Sequence, residues 1–182
     1  MPMSGLTELE LTRVLTYVGL VLLSFELIKS LIVRPIKAFY LHVTFGPGMP
    51  FKSYEADVLS RHHNEFEACL LYLRDFMQAI DPADFDTIQA LRTHRNEVAH
   101  DLVNRLDALH AGNHTPLLER VERALFKLSN YRTYMQIGAD PAFQNQGIDW
   151  STVKGHEYLL LEEVRRKIRL LEQPAAHFST KE

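Results

Sequence analysis

Between Leu91 and Leu102 the chain reads Leu-Arg-Thr-His-Arg-Asn-Glu-Val-Ala-His-Asp-Leu, which gathers Arg95, Asn96 and His100 into one short segment. A histidine can take or give a proton near neutrality, and an arginine is always charged and offers a planar fork of donors to an oxyanion. An amide can orient either of them through hydrogen bonds. Such a set suits a reaction that moves protons while negative charge builds on a phosphate-like centre. Whether the three side chains converge depends on the element that carries them.

The apolar spacing of that segment predicts a helix. At about 100° per residue with Arg92 at zero, Ile88, Leu91, Val98, Leu102, Leu106 and Leu109 fall within an arc of about 80°, the core stripe. Arg95 falls inside that arc at about 300°, and Asn96 and His100 follow on its flank at about 40° and 80°. Being four apart, Asn96 and His100 stack on one face. An unpaired buried guanidinium is costly, so Arg95 is either an internal ion-pair member or aimed into a cleft. The polar neighbours favour the cleft.

Four further groups enter as candidates. Glu26 is the first charge after the apolar run Val14 to Phe25; it either reaches Arg95 or forms a plain surface pair with Lys29. Arg92, one turn before Asn96, either extends an anion contact or is an ordinary surface charge. His62 falls in the apolar stripe of the preceding helix, one turn before Phe66, as a hydrogen-bonded core histidine or a supporting site residue. His63 and Glu67 are four apart, but no third ligand and no cysteine cluster accompany them, so neither a metal nor a cofactor is expected. Glycine-rich phosphate loops, the G-x-S-x-G elbow and zincin motifs are absent from the sequence.

The string Arg95-Asn96-Glu97-Val98-Ala99-His100 resembles the R-x(4–6)-H motif of the HEPN superfamily, in the form where a polar residue follows the arginine. A second match, Arg105 to His110, has Leu106 after its arginine and lies on the outward face at the helix end. The resemblance implies a small all-α bundle of the kind found in toxin–antitoxin and other defence systems. It implies a metal-independent ribonuclease that leaves 2′,3′-cyclic phosphate ends. His100 would be the general base or acid, Arg95 the stabiliser of the transition state and Asn96 the orienter. It also implies a homodimer that brings two motifs together on RNA, with an antitoxin protein as a further partner. The alternative is a HEPN-like module without catalysis that binds nucleotide, RNA or protein.

The rest of the chain must build that bundle. Helical rather than alternating spacing runs almost throughout, and clusters of Gly and Pro divide the 182 residues into about five helices of one all-α domain, its core about 54–172. The first is expected over Thr7 to Val33, apolar nearly all round, central, and ended by Pro35. The second is expected over Tyr54 to Ile80, burying Val58, Phe66, Cys69, Leu73, Phe76 and Ile80. The third starts at Asp81-Pro82-Ala83-Asp84, with Asp81 as N-cap, and runs to about His110, stopping at Gly112-Asn113. The fourth spans Thr115 to Ile137, with Leu117, Val121, Leu125, Leu128 and Met135 facing in. Gly138 to Lys154 reads as irregular. The fifth, Gly155 to Glu172, buries Leu160, Val164, Ile168 and Leu171 before a frayed tail from Pro174.

Composition bounds the function. With 46% apolar residues the chain can bury a core, and 20 basic against 23 acidic residues, net −3, exclude a broad polyanion-binding face. Residues 61–110 carry 5 basic and 9 acidic side chains, so any RNA must be met at one narrow site. The basic run Arg165-Arg166-Lys167-Ile168-Arg169 follows Glu162-Glu163 and reads as a solvated helix face with internal pairs rather than a nucleic-acid patch. The apolar run Val14 to Phe25 is shorter than the roughly 20 residues a spanning helix needs, and no basic region precedes it. No membrane partner is expected. The lone Cys69, in an apolar run, reads as a buried inert thiol, and the cytoplasm is the expected location.

Overall fold

The computed structural model describes residues 7–105, 115–138, 140–144 and 146–172. Among them the chain is helical, without strands: α1 Glu8–His42, α2 Tyr54–Asp57, α3 Glu65–Asp75, α4 Pro82–Arg105, α5 Thr115–Ile137, α6 Pro141–Gln144 and α7 His156–Glu172. Short 3₁₀ turns at Leu59–Arg61 and Trp150–Thr152 complete it. The expected all-α bundle is what forms.

α1 is the centre of the bundle, packing on α3, α4, α5 and α7. Thr7 and Glu10 start it with a capping box, each side chain satisfying the other residue's backbone N–H. The expected stop at Pro35 does not occur, and the helix continues to His42 with the proline inside it. An interior proline costs about 3 kcal/mol. Ile36 is buried beyond it, and Phe39 and Tyr40 join an aromatic cluster with Phe45 and Phe51; burial of one such side chain is worth about 1.5–3 kcal/mol. Packing therefore carries the helix past its breaker. α1 is also not covered on every face, since Leu15 is 49% exposed and Gly19 lies on the same outer stripe. By length and composition α1 could cross a membrane, but half of its most apolar stretch is buried, as the central helix of a bundle requires.

The expected second helix is broken. His62 and Asn64 divide it, because Asn64 caps α3 by accepting from the Glu67 N–H and its own N–H donates to His62 Nδ1 at 3.0 Å. Local side-chain bonds of this kind outcompete helix continuation. His62 thus sits in the break, not in a helical stripe, with its ring 4.1 Å from that of His63. α3 ends before Phe76, which is 39% exposed rather than buried, and the chain turns at Gln78 with φ 53° to return Ile80 to the core. Val58, Cys69 and Leu73 are buried as expected, and Phe66 packs against the core.

α4 begins as its sequence predicts. Asp81 Oδ1 accepts from the Asp84 N–H at 2.9 Å, and Asp84 Oδ2 accepts from the Asp81 N–H at 3.1 Å. Lys127 of α5 then ties both carboxylates, at 2.7 and 2.6 Å. Ile88, Leu91 and Val98 are fully buried and Leu102 packs against the core; Leu106, Leu109, His110, Gly112, Asn113 and the tail from Pro174 lie outside the described residues.

On α5, Val121, Ala124, Leu125 and Leu128 face the core, and Leu117 packs on it, whereas Met135 is half exposed. The stretch expected to be irregular is held by Asn130, whose amide donates to the carbonyls of Trp150 and Val153, and it contains α6. α7 approaches α5 closely at Gly155, where a Cβ would lie 2.3 Å from Ser129 Oγ. The inward residue of α7 is Leu161, and Leu160 is 40% exposed, one position out of the expected register. Val164 and Ile168 are half-buried, and the Leu171 side chain lies outside the description.

The Lys127 ammonium, with the Asp84 N–H, pushes the Asp81 carboxyl down to about 2. A depressed carboxyl stabilises the fold above its unfolded value, and that contribution is lost as pH falls through about 2. Asp81→Ala should lower stability by about 1 kcal/mol through loss of the cap, and Asp81→Ala with Lys127→Met should cost less than the sum of the two. Urea unfolding at pH 7 and repeated toward pH 2 measures both effects, the wild-type advantage shrinking as the acid end is reached.

Candidate functional site

The face formed by α4 and the middle of α1 holds the three residues singled out in the sequence. Arg95 lies between the helices with its side chain 31% exposed, Nη1 donating to Asn96 Oδ1 at 3.2 Å. Its guanidinium carbon stands 5.4 Å from the Phe25 ring centre, and Nη2 is 3.8 Å from Glu26 Oε1. Its Nε is buried without a hydrogen-bond partner among the described residues. The guanidinium is thus held by an aromatic face and a loose contact with an exposed carboxylate, a combination worth little as an ion pair. It is neither sealed in the core nor fully solvated.

Asn96 and His100 are exposed on the same helix, one turn apart. The amide oxygen of Asn96 is engaged by Arg95, so the residue it orients in the single chain is Arg95 rather than His100. Cavities of about 360 and 500 Å³ elsewhere on the bundle are lined by residues other than Arg95, Asn96 and His100. The helical wheel places Arg95 inside the core stripe, and α1 meets it there with Phe25 and Glu26, the arginine side chain remaining 31% exposed.

The other candidates separate. Arg92 turns toward α3, where Nη1 donates to Glu67 Oε2 at 3.0 Å and its guanidinium packs over Phe66; Gln89 also donates to Glu67. This is the structural side of the two readings. Glu67 is therefore occupied, and among the described residues no three of His, Cys, Asp and Glu converge as metal ligands. His62 contacts Asn64 and His63 at the helix break rather than α4. Cys69 is buried beside the Tyr54 hydroxyl, and burial pushes its thiol up, which disfavours a nucleophilic thiolate.

His94 was missed. It lies on the opposite flank of α4 from Asn96, with a side chain only 11% exposed. Its Nε2 is 2.6 Å from the hydroxyl of buried Tyr17, and its Nδ1 is 3.7 Å from Glu97 Oε2. Burial raises the Tyr17 phenol well above its ordinary range, so it stays protonated and can donate to the imidazole. A wheel reading could have flagged His94, which is at least as near the core centre as Asn96; the matching signal, Tyr17 within an apolar run, has no mark in the sequence. Through this bond Tyr17 locks α4 to α1 about one residue from Arg95.

No family model, curated protein or solved structure matches this chain.

Tyr17→Phe should leave a buried ring nitrogen without its partner and cost about 1–3 kcal/mol, whereas Glu26→Ala should change stability by less than about 1 kcal/mol. Equilibrium urea unfolding of the two variants, with far-ultraviolet circular dichroism as the probe, tests the ordering.

Proposed function

We propose that this protein is a metal-independent endoribonuclease of HEPN type, acting as a homodimer in a toxin–antitoxin or defence setting in the cytoplasm, with an antitoxin as its protein partner. The observation that carries this reading is the half-exposed Arg95 guanidinium, matched only loosely by Glu26, on the same open helix face as Asn96 and exposed His100. A structural arginine would be closed off by a buried carboxylate. This one remains available to a phosphate, and an imidazole stands one turn away.

The chemistry follows from those groups. An imidazole removes the proton of a ribose 2′-hydroxyl, the oxygen attacks the adjacent phosphorus, and the 5′-oxygen leaves with a proton supplied by a second acid, giving a 2′,3′-cyclic phosphate. Arg95 stabilises the charge that develops on the phosphoryl oxygens, oriented by Asn96. One histidine does not readily perform both transfers, so a second copy supplies the other His100. The exposed stripe of Leu15, Gly19 and Glu26 on α1, beside this face, is the surface such a copy would cover.

The second reading, a HEPN-like module that binds RNA, nucleotide or protein without catalysis, is favoured by one observation. The basic residues that would gather around an RNA are already paired: Arg92 with Glu67, Arg165 with Glu122, and Arg166 and Lys167 with Glu163.

Incubation of the purified protein with RNA in EDTA separates the readings. The nuclease predicts cleavage with cyclic phosphate ends, reduced about 10²–10⁴-fold by His100→Ala and about 10²–10³-fold by Arg95→Ala. Equal cleavage by wild type and His100→Ala, or strict dependence on added metal, rejects it. RNA binding without cleavage, and without growth inhibition on expression, supports the module.

A further inference from the structure

A cavity of about 360 Å³ lies between the second half of α1, the end of α3 and the second half of α5. Small-molecule sites span roughly 300–1,000 Å³. Its walls are apolar and adaptable, with Leu31, Ile36 and Phe39 from α1, Leu73 and Met77 from the end of α3, and Leu128 from α5. Its mouth carries Arg34, Tyr131, Arg132 and Gln136.

One feature of this cavity points to a ligand. The two cations at its mouth differ. Arg132 is neutralised by Glu157, but Arg34 is exposed and has no acidic partner within ion-pair distance among the described residues. An apolar chamber with one unmatched guanidinium at its entrance is complementary to a molecule with an apolar body and a single negative head. A carboxylate fits the guanidinium fork in two parallel hydrogen bonds. A phosphate monoester, with nearly twice the charge, would call for a second free cation.

We propose that this cavity binds a small amphiphilic carboxylate of the medium-chain fatty-acid class. The alkyl body lies against Leu31, Phe39, Leu73 and Leu128, and the carboxylate pairs with Arg34. The site is separate from the Arg95 face and stands whether or not the protein cleaves RNA.

The test uses the full chain with decanoate, and decan-1-ol as the uncharged control, in isothermal titration and thermal-shift measurements. Arg34 and Ala38 are both exposed and one turn apart at the mouth, so substitutions there spare the core. Saturable decanoate binding that raises the midpoint of thermal unfolding is expected, weakened tenfold or more by Arg34→Met with decanol affinity changed less than twofold. Ala38→Trp, which fills the chamber, should abolish both. No saturable decanoate binding up to about 10 mM, some −2.7 kcal/mol of affinity, overturns the proposal. So does binding that neither variant alters, and so does a wild-type dimer that Ala38→Trp dissociates without any decanoate binding, because a second copy then covers the cavity.

Discussion

The constraint on which the rest of this fold depends is that a single long, apolar helix must be covered on most of its circumference. α1 carries buried residues from Val14 to Ile36, more than any other element, and α3, α4, α5 and α7 are all packed on it. The requirement is strong enough to run the helix through Pro35, because the apolar anchors beyond the proline recover more free energy than the lost backbone bond costs. The same proline is among the residues that line the cavity between α1, α3 and α5.

The seam between α1 and α4 combines two kinds of polar group. Buried Tyr17 and largely buried His94 meet at 2.6 Å, which helps set the register of the helices because an unmade bond between withdrawn groups is expensive. Arg95 lies at the edge of the same seam, against Phe25 and near Glu26, and is only half withdrawn from solvent. Register is thus held at this point by the Tyr17–His94 contact, one residue from Arg95. Rigid support beside a loosely paired charge is what an electrostatic site needs, since its groups must be oriented before the substrate arrives.

Charge elsewhere follows a conservative pattern. The cluster of Lys127 with Asp81 and Asp84 pins the start of α4 to α5, and Arg132 with Glu157 pins the start of α7 to the same helix. On α7, Arg165 is matched by Glu122, and Arg166 and Lys167 by Glu163. The net charge of −3 and these pairings agree that an anionic partner must be recognised locally.

The sequence by itself determined the all-α class, the capped start of α4 at Asp81, the span of α5 and the core stripe Ile88, Leu91 and Val98. Each of these rests on local spacing or a local hydrogen bond, which a helix of known pitch converts directly into geometry. It also brought Arg95, Asn96 and His100 to one region of one helix, since residues within five positions of one another need no tertiary information to be near. Tertiary packing decided everything that depends on what stands opposite. It carried α1 past Pro35, broke the second helix at His62 and Asn64, exposed Met135 and Leu160, turned Arg92 away to Glu67 and set Arg95 against Phe25 and Glu26. It also drew His94 inward onto Tyr17, because burial is a property of two surfaces meeting and Tyr17 is 77 residues away in the chain.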